Sequence, residues 1–411
     1  MNTQKHLAIL MTWAFCAITL ADGPAVQVGI DVLSGDGFKL LDGRSVGLIT
    51  NPTGVSGDLQ STVDLLHAAR NVKLVSLYGP EHGVRGDAYA GDKVEDAIDS
   101  DTKLPVYSLY GKTRQPTEEM LKGIDTLVFD IQDIGSRSYT FINTMTVAMQ
   151  AAAENKLKFV VLDRPNPLGG DRIEGSPLDM EFRSFIGFLP IPYLHGMTVG
   201  ELAQMINEEG WLEGGIKCDL TVVQMKGWKR SMGFDDCGLE WVPSSPHVPK
   251  SESALFYAAT GIMGELHVVS EGVGYPLPFE LVGLPEADAG LFASQLEERK
   301  LAGVRFRPIY FKPYYGPNKG KVCGGAQVHL TDPDKAHLTG IQFHVMDVVR
   351  KSFADHKLFE SKRKRSFDKA CGTDEIRKLF EAGKPIEDIL ARWNEGVEDF
   401  RKARAKYLLY K

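Results

Sequence analysis

The run Val46-Gly-Leu-Ile-Thr50 is short, apolar and continuous, and the polar turn Asn51-Pro-Thr-Gly54 follows it at once. A continuous run of this kind, rather than an alternating one, is typical of a strand that is buried on both faces. The same pattern recurs further along the chain. Five more runs are predicted to be strands, at residues 72–77, 105–109, 126–130, 159–163 and 220–224.

Helical patterns separate these runs. They predict helices at residues 61–69, 117–122, 139–154 and 198–209. Strands that alternate with helices usually form a parallel sheet with helices on both faces. The first part of the chain is therefore predicted to be an α/β domain built on a doubly wound parallel sheet.

The sequence changes character after Pro243, Pro246 and Pro249, which mark a predicted domain boundary. Beyond them the patterns predict strands at 304–310 and 326–330, and helices at 341–355, 373–382 and 386–410. We therefore expect a sheet domain at residues 26–250, followed by a smaller α+β domain at residues 251–411.

Composition narrows the class of protein. The chain has 411 residues, is 43% hydrophobic and carries 47 basic and 54 acidic residues, for a net charge of −7. An acidic chain without a long Lys/Arg run is a poor candidate for a nucleic-acid partner. A single N-terminal apolar run also excludes a polytopic membrane protein. These features are typical of a soluble globular protein of enzyme size.

The N-terminus resembles a secretory signal peptide. Lys5 and His6 precede an apolar run at residues 7–20, and Thr19-Leu-Ala21 offers small residues for a signal peptidase. The run is shorter than the roughly 20 residues that a stable membrane span needs. We therefore expect residues 1–21 to be removed and the protein to be exported, to the periplasm or the extracellular space.

Four cysteines follow this segment, and none of them forms a CxxC pair. A zinc ribbon is therefore not expected. Export would permit disulfides, but four buried thiols fit a chain of this size equally well. The cysteines in question are Cys218, Cys237, Cys323 and Cys371.

Polar clusters follow five of the predicted strands. In an open parallel sheet, ligands bind beyond the carboxyl ends of the strands, so these clusters should meet at one edge. They contain two Asp residues at strand ends, a Glu-His pair and several Arg residues, which a set of solvated turns would not need. The clusters lie at residues 51–54, 78–83, 110–111, 130–137 and 163–170. A functional site is predicted at this edge.

Common cofactor and catalytic motifs are missing. No GxGxxG follows the first strand, and Gly111-Lys-Thr113 lacks the earlier glycine of a P-loop. Gly43-Arg-Ser-Val-Gly47 precedes a strand, whereas a nucleophile elbow follows one. No HExxH motif is present. We therefore expect no nucleotide, no cofactor and no metal.

Glu81 is the leading candidate for a catalytic acid, because it follows an apolar strand and Pro80 and directly precedes His82. A partly apolar pocket favours the protonated form of a carboxyl group, which suits a general acid. His82 would orient Glu81 or bind substrate. Asp130 and Asp133 are candidates for a second carboxylate, although Asp133 is equally typical of a helix cap. Glu174 is a further candidate.

Other residues fit substrate contact as well as structural roles. His195 lies just before a capping box, Thr198-x-x-Glu201, and fits a ligand contact and a buried hydrogen-bonded histidine equally. His247 lies in a proline-rich turn and has the same two interpretations. Tyr110 and Trp241 offer flat faces on which sugar rings stack, although a single aromatic residue more often belongs to the core.

The clusters together resemble the exo-β-N-acetylmuramidase (NamZ-like) family. The resemblance runs from about residue 27 to the C-terminus. It rests on Gly47-Leu-Ile-Thr-Asn-Pro-Thr-Gly-Val55, Gly79-Pro-Glu-His-Gly-Val-Arg-Gly86, Phe129-Asp-Ile-Gln-Asp-Ile-Gly-Ser-Arg-Ser-Tyr-Thr140, Leu162-Asp-Arg-Pro-Asn-Pro-Leu-Gly-Gly170, Tyr193-Leu-His-Gly-Met-Thr198 and Phe367-Asp-Lys-Ala-Cys-Gly-Thr-Asp374.

This resemblance implies a Rossmann-like N-terminal domain, a smaller C-terminal domain and an active cleft between them. It implies release of terminal N-acetylmuramic acid from the non-reducing end of MurNAc-GlcNAc fragments of peptidoglycan, with Glu81 as the acid. The resemblance leaves the second catalytic group open, and Glu174 and Asp130 are the positions to test. The segment at 261–274 departs from the family, because it lacks the usual arginine. If this segment touches substrate, specificity has shifted.

Muramic acid carries a carboxylate, and arginine grips carboxylates with two parallel hydrogen bonds. Arg85, Arg137 and Arg164 are candidates for this contact. The remaining candidates for substrate binding lie in the same clusters, and they are Asn51, Tyr139, Asp163 and Asn166.

Two alternatives to a glycosidase stay open at this point. Asp130, Asp133, Asp163 and His82 would together suit a metal-dependent hydrolase. A non-catalytic module that binds the cell wall is the other alternative.

Overall fold

A computed structural model describes residues 26–81, 83–86, 96–360 and 362–411. The predicted signal peptide at 1–21 and the candidate His82 lie outside these residues. No helix in the described ranges is long and apolar enough to cross a membrane.

All six predicted strand runs form strands of one seven-stranded sheet. Its members are β1 (Ser45–Thr50), β2 (Lys73–Gly79), β3 (Ala97–Ile98), β4 (Pro105–Ser108), β5 (Thr126–Asp130), β6 (Lys158–Leu162) and β7 (Asp219–Val223). They are ordered β3-β4-β2-β1-β5-β6-β7. The short edge strand β3 is antiparallel to β4, and the other pairs are parallel. Without β3 this is the Rossmann-like doubly wound order.

Four helices pack on this sheet, and they are α1 (Gly29–Gly35), α2 (Thr62–Ala68), α3 (Phe141–Glu154) and α4 (Val199–Glu208). The predicted capping box starts α4, since the Thr198 hydroxyl accepts from the Glu201 N–H at 3.2 Å. The helix predicted at 117–122 is wrong, because the segment forms only turns. It lies between Pro116 and Gly123, whose φ is +82°, and this leaves too few residues for a stable helix.

The smaller domain contains a three-stranded antiparallel sheet in the order β8-β10-β9. The strands are β8 (Leu281–Pro285), β9 (Val304–Phe311) and β10 (Cys323–Leu330). The helices around it are α5 (Ser253–Gly264), α6 (Ala289–Glu297), α7 (Leu338–Ser352), α8 (Lys364–Cys371), α9 (Glu375–Glu381), α10 (Ile386–Trp393) and α11 (Val397–Arg404). The prediction of one long helix at 386–410 is wrong. Gly396, at φ +81°, separates α10 from α11 in the left-handed conformation.

The two domains share a continuous apolar core. Trp393 of α10 is fully buried, its ring lies 5.9 Å from that of Tyr193 and 5.0 Å from that of Phe343, and its Nε1 donates to the Thr339 hydroxyl at 2.9 Å. At the C-terminus, the Tyr410 hydroxyl donates to Asp163 beside β6 at 2.5 Å. These contacts pack the C-terminal part of the chain against the sheet domain.

Candidate active site

A pocket of about 250 Å³ lies between the carboxyl edge of the sheet and the smaller domain. Residues after β2 and β5 form one side, and α5 with the loops around it forms the other. Small-molecule sites are typically concave and combine apolar surface with a few polar groups. This pocket combines aromatic side chains with carboxyl and hydroxyl groups, and it is the candidate active site.

Glu81 lines this pocket and is half-buried. The turn that carries it is tight, since the Gly83 N–H donates to the Pro80 carbonyl at 3.0 Å and Gly83 has a φ of +75°. The Glu81 Oε2 accepts a hydrogen bond from the Thr140 hydroxyl at 3.2 Å. A carboxylate is thus presented to the pocket by a constrained turn at the end of β2.

Tyr110, which follows β4, contacts Glu81 on another side. Burial, together with the negative charge of Glu81 and a hydrogen bond to it, raises the pKa of Tyr110 to about 12. The phenol is therefore neutral at physiological pH and can donate to the carboxylate. Two of the predicted site residues are brought together here.

Aromatic rings and hydroxyl groups form the walls of the pocket. The Ser138 hydroxyl donates to the Tyr193 hydroxyl at 2.9 Å and lies 3.0 Å from that of Tyr257. The Tyr139 hydroxyl lies 2.7 Å from that of Ser244. Tyr139 and Tyr257 pack edge-to-face with ring centroids 5.8 Å apart. Apolar faces with fixed hydroxyls suit a sugar, which presents both CH and OH groups.

Asp133 lies buried next to this aromatic wall. Its Oδ2 accepts from the Gly135 N–H at 2.7 Å, a bond within its own loop, whereas the next helix begins after Thr140, so the helix cap expected at Asp133 is wrong. Its Oδ1 has no hydrogen-bond partner among the described residues. Burial raises the pKa of Asp133 to about 7, although N–H groups of Gly135 and Ile134 oppose the shift. The negative charge of Asp133 contributes to raising the pKa values of Tyr139 and Tyr257.

The smaller domain completes the pocket with residues that the sequence analysis did not select. Tyr257, Glu265 and Phe279 line it, and so does the predicted candidate His247, whose ring stacks on Tyr315 with centroids 5.9 Å apart. Tyr257 lies within α5, and the local sequence of this helix does not distinguish a residue that lines a pocket from one that packs in the core. The divergent segment at 261–274 reaches the pocket through its first residues.

The three candidate arginines are engaged elsewhere. Arg164 forms a buried pair with Asp130, in which Nε lies 2.5 Å from Oδ1 and Nη2 lies 2.9 Å from Oδ2. Arg85 forms a similar pair with Asp99, at 2.9 and 3.0 Å, and holds the pKa of that carboxyl well below its usual range. Arg137 is fully buried. None of these guanidinium groups lines the pocket.

The Arg137 guanidinium instead joins the two domains. Nη1 donates to the carbonyls of Ser176 and Ile191 at 2.9 and 2.8 Å, and Nη2 donates to those of Ala370 and Cys371 at 3.2 and 2.7 Å. Burial lowers its pKa to about 10, so it remains charged at neutral pH. This arrangement is that of a structural cross-link.

Glu174 is also occupied by the smaller domain. Its Oε2 accepts from the Thr339 N–H at 2.8 Å and hydroxyl at 2.9 Å, and its Oε1 accepts from Arg172 at 2.9 Å. A carboxylate at the N-terminus of a helix is favoured by the helix dipole. Glu174 therefore anchors the start of α7, and it does not line the pocket.

Asn51 and Asn166 shape the loops that follow β1 and β6. The Asn51 side-chain oxygen accepts from the Thr53 N–H at 3.0 Å, and that of Asn166 accepts from the Leu168 N–H at 3.0 Å. Both side chains are buried. They fix turns at the sheet edge and do not line the pocket.

Asp163 and His195 lie deeper in the same region. Asp163 accepts from the Thr198 hydroxyl and the Gly200 N–H, both at 2.8 Å, and burial raises its pKa to about 6. Burial lowers the pKa of His195 to about 3, so its ring is neutral, and its Nδ1 accepts from the Met197 N–H at 3.2 Å. Both are buried and outside the pocket lining.

The crevice of the doubly wound sheet, between β1 and β5, is nearly filled. Only about 20 Å³ remains there, lined among others by Thr53, Gln132, Arg164 and Trp241. That volume accommodates roughly one water molecule. Trp241 donates from Nε1 to the Val248 carbonyl at 3.1 Å. The general rule for these sheets places the site at this crevice, whereas the pocket that Glu81 lines lies at the end of β2.

Asp130, Asp133 and Asp163 do not come together. Each has its own set of partners, and across the described ranges no three His, Cys, Asp or Glu side chains are grouped as metal ligands would be. Asp130 is matched by an arginine, a pairing that competes with metal coordination. His82, the fourth member of the metal hypothesis, lies outside the described residues.

Comparison with known proteins adds independent findings. A family model described as the N-terminal part of the exo-β-N-acetylmuramidase NamZ matches residues 46–252, and one described as its C-terminal part matches residues 255–410. The peptidoglycan β-N-acetylmuramidase NamZ of Bacillus subtilis is 47% identical over 390 residues, which cover 95% of this chain and 92% of that protein.

Solved structures agree. A crystal structure of a DUF1343 family protein from Bacteroides fragilis matches with a TM-score of 0.90 at 51% identity, and a second one from the same organism matches with 0.75 at 31% identity. Each match covers 94% of this chain and 99% of the other. The resemblance seen in the sequence motifs is confirmed: the chain belongs to the NamZ family of exo-β-N-acetylmuramidases and is an enzyme of the glycoside hydrolase class.

Proposed function

We propose that this enzyme releases N-acetylmuramic acid from the non-reducing end of peptidoglycan fragments, with Glu81 as the general acid. The observation that carries the proposal is the placement of Glu81. Its carboxyl group is held by Thr140 and Tyr110 in a pocket with hydroxyl-bearing aromatic walls. Membership of a glycosidase family leaves no reason to retain the non-catalytic alternative.

In the proposed reaction, Glu81 donates a proton to the glycosidic oxygen as the bond to the sugar breaks. Glycoside hydrolysis also requires a nucleophile, a base or the acetamido group of the substrate itself. Asp130 and Glu174 are bound to other residues and do not line the pocket. Glu265 is the other carboxylate among the described residues that line the pocket, whereas Asp133 is buried and does not line it, so Glu265 and the acetamido group are the remaining candidates.

The test of the acid role is Glu81→Gln, which keeps the size and removes the proton donor. Loss of a general acid costs roughly 10²- to 10⁴-fold in rate where the leaving oxygen must be protonated, so we expect a fall of this size in kcat with a MurNAc-GlcNAc disaccharide. With 4-nitrophenyl β-N-acetylmuramide the loss should be smaller, because 4-nitrophenolate leaves without a proton. Glu118→Gln, at an exposed position, is the matched control. A folded Glu81→Gln enzyme with near-normal kcat on the disaccharide would refute the role.

The exo mode has its own test. A glycan strand labelled at its reducing end should lose single muramic acid units from the other end, and mass spectrometry of early time points should detect no internal fragments. Early internal cleavage would contradict the proposal.

We further propose that the protein is exported through a signal peptide at residues 1–21. The apolar run at 7–20 and the small residues before position 22 support this. Expression of the full chain, followed by cell fractionation and N-terminal sequencing, should yield a protein that begins after Ala21. An intact N-terminus in the cytoplasm would contradict it.

A further inference from the structure

Arg114 lies at the edge of the pocket, close to the proposed acid. Its guanidinium is 4.0 Å from the centroid of the Phe185 ring and 5.9 Å from that of Tyr110. Phe185 directly precedes Ile186, which lines the pocket, and Tyr110 contacts Glu81. Arg114 thus lies between a residue next to the pocket wall and a neighbour of the acid.

The turn that carries Arg114 is anchored on both sides. The Thr113 hydroxyl donates to the Gln115 carbonyl at 2.7 Å and accepts from the Gln115 N–H at 3.3 Å. The Gln115 side-chain amide donates to Glu154, at the end of α3, at 2.9 Å. A guanidinium on such a turn is positioned before a ligand arrives, which reduces the entropic cost of binding.

Arg114 differs from the three arginines considered from sequence. Its side chain is exposed, and among the described residues it forms no ion pair. Arg85, Arg137 and Arg164 all donate hydrogen bonds to carboxylates or carbonyls of the protein. A guanidinium that rests on an aromatic face uses its flat surface, and its N–H edge remains available to a carboxylate.

The described lining of the pocket offers an anion no cation, and the charge of Glu265 is matched by Arg363 at 3.0 Å. Glu81 and Glu265 line the pocket, and no lysine or arginine is present among its described lining residues. The lactyl carboxylate of muramic acid would therefore be disfavoured inside and favoured at an edge that carries a cation. Arg114 supplies such a cation next to Tyr110.

We infer that Arg114 binds the lactyl carboxylate of the terminal N-acetylmuramic acid and thereby selects this sugar over N-acetylglucosamine, which lacks the lactyl group. The inference rests on the proposed function. Arg114 grips the carboxylate through two parallel N–H···O bonds while Phe185 supports the guanidinium from below. Arg114 is thus a specificity residue, and Glu81 supplies the proton.

The test compares two substrates on four enzymes. The substrates are 4-nitrophenyl β-N-acetylmuramide and its lactyl carboxamide, which differ in charge alone. The enzymes are the wild type, Arg114→Gln, Arg114→Lys and Lys112→Gln, where the last removes a nearby exposed charge. Folding is verified by circular dichroism and Tm.

We expect Arg114→Gln to lower kcat/KM for the acid substrate by roughly 10- to 100-fold, mainly through KM, because hydrogen bonds to a charged group are lost. The carboxamide should change by no more than about threefold. Arg114→Lys should be intermediate, since it keeps the charge and loses the fork. Lys112→Gln should resemble the wild type on both substrates.

Equal losses on both substrates would overturn the inference, because they would indicate a structural role. No loss on either substrate would overturn it as well. In both cases the wild type would still release muramic acid, and the proposed function would stand. A wild-type enzyme that cleaves neither substrate would instead refute the proposed function, and the inference with it.

Discussion

Arg164 and Asp130 form a buried two-point ion pair across the carboxyl ends of β5 and β6. The Thr62 hydroxyl adds a hydrogen bond to Asp130 Oδ2 at 2.5 Å, and Arg164 also donates to the Val55 carbonyl at 2.8 Å. These contacts close the crevice where many doubly wound proteins bind ligands. The ion pair therefore has a structural role, and the accessible carboxylate of the sheet edge is Glu81.

Asp130→Asn tests this role. The substitution leaves a buried guanidinium without its counter-charge, which typically costs about 3–5 kcal/mol of unfolding free energy. Urea denaturation should measure this loss. Asp36→Asn removes an exposed pair with Lys39 and should leave the urea midpoint unchanged. An Asp130→Asn enzyme of normal stability that has lost its activity would instead support a catalytic role for Asp130.

Glu174→Gln provides a second distinction between structural and catalytic roles. The amide keeps one acceptor for the Thr339 N–H but loses the charge that favours the start of α7 and pairs with Arg172. We expect a loss of about 1–2 kcal/mol in unfolding free energy. At temperatures well below Tm, kcat should stay within about threefold of wild type. A fall in kcat of several hundredfold at unchanged Tm would contradict the structural role.

The strands were predictable because their signal is local. The burial of a continuous run such as Val46–Thr50 can be predicted from its own apolar residues. The capping box of α4 is likewise recognised from the residues at the start of the helix. One of the two helix errors lies between Pro116 and Gly123, which leave too few residues for a helix, and the other arose where Gly396 separates two helices. Gly396 adopts a left-handed conformation within an otherwise amphipathic pattern, and the neighbouring residues do not predict this helix end.

The site was only partly predictable. Glu81 follows from the rule that strand ends carry function. Tyr257 and Phe279 reach the pocket from the other domain, so no local pattern identifies them. The roles of the arginines are equally hard to predict. The sequence does not reveal whether a guanidinium donates to a protein carbonyl, as in Arg137, or is exposed to solvent, as in Arg114. That distinction depends on tertiary packing.

The cysteines yield a third prediction. Cys218, Cys237, Cys323 and Cys371 are all buried and free, and burial raises the pKa of the first two thiols to about 12. A buried, protonated thiol reacts slowly. In the mature enzyme, Ellman's reagent should therefore find no fast thiols under native conditions and four in denaturant, and a reductant should not shift Tm. Fewer than four thiols in denaturant without reductant would reveal a disulfide.

Asp133 predicts a specific pH dependence of stability. Its ordinary pKa of 3.8 is raised to about 7 in the folded protein, mainly by burial. The folded state therefore holds a proton that the unfolded chain releases between these values. The stabilisation is fully present below about pH 3.8 and is lost as pH rises through about 7, with a slope of up to about 1.4 kcal/mol per pH unit.

Asp133→Asn removes this titration and keeps an oxygen that can accept from the Gly135 N–H. The difference in unfolding free energy between wild type and variant isolates Asp133, because other buried carboxyls such as Asp163 titrate in both proteins. Tyr139 and Tyr257 face Asp133 but stay neutral over this range, since burial raises their pKa values. From pH 5 to 7.5 the wild type should lose about 2–3 kcal/mol relative to the variant. Parallel pH profiles for the two proteins would show that Asp133 is ionised at the lower pH, and Oδ1, which has no hydrogen-bond partner among the described residues, would then need a compensating cation.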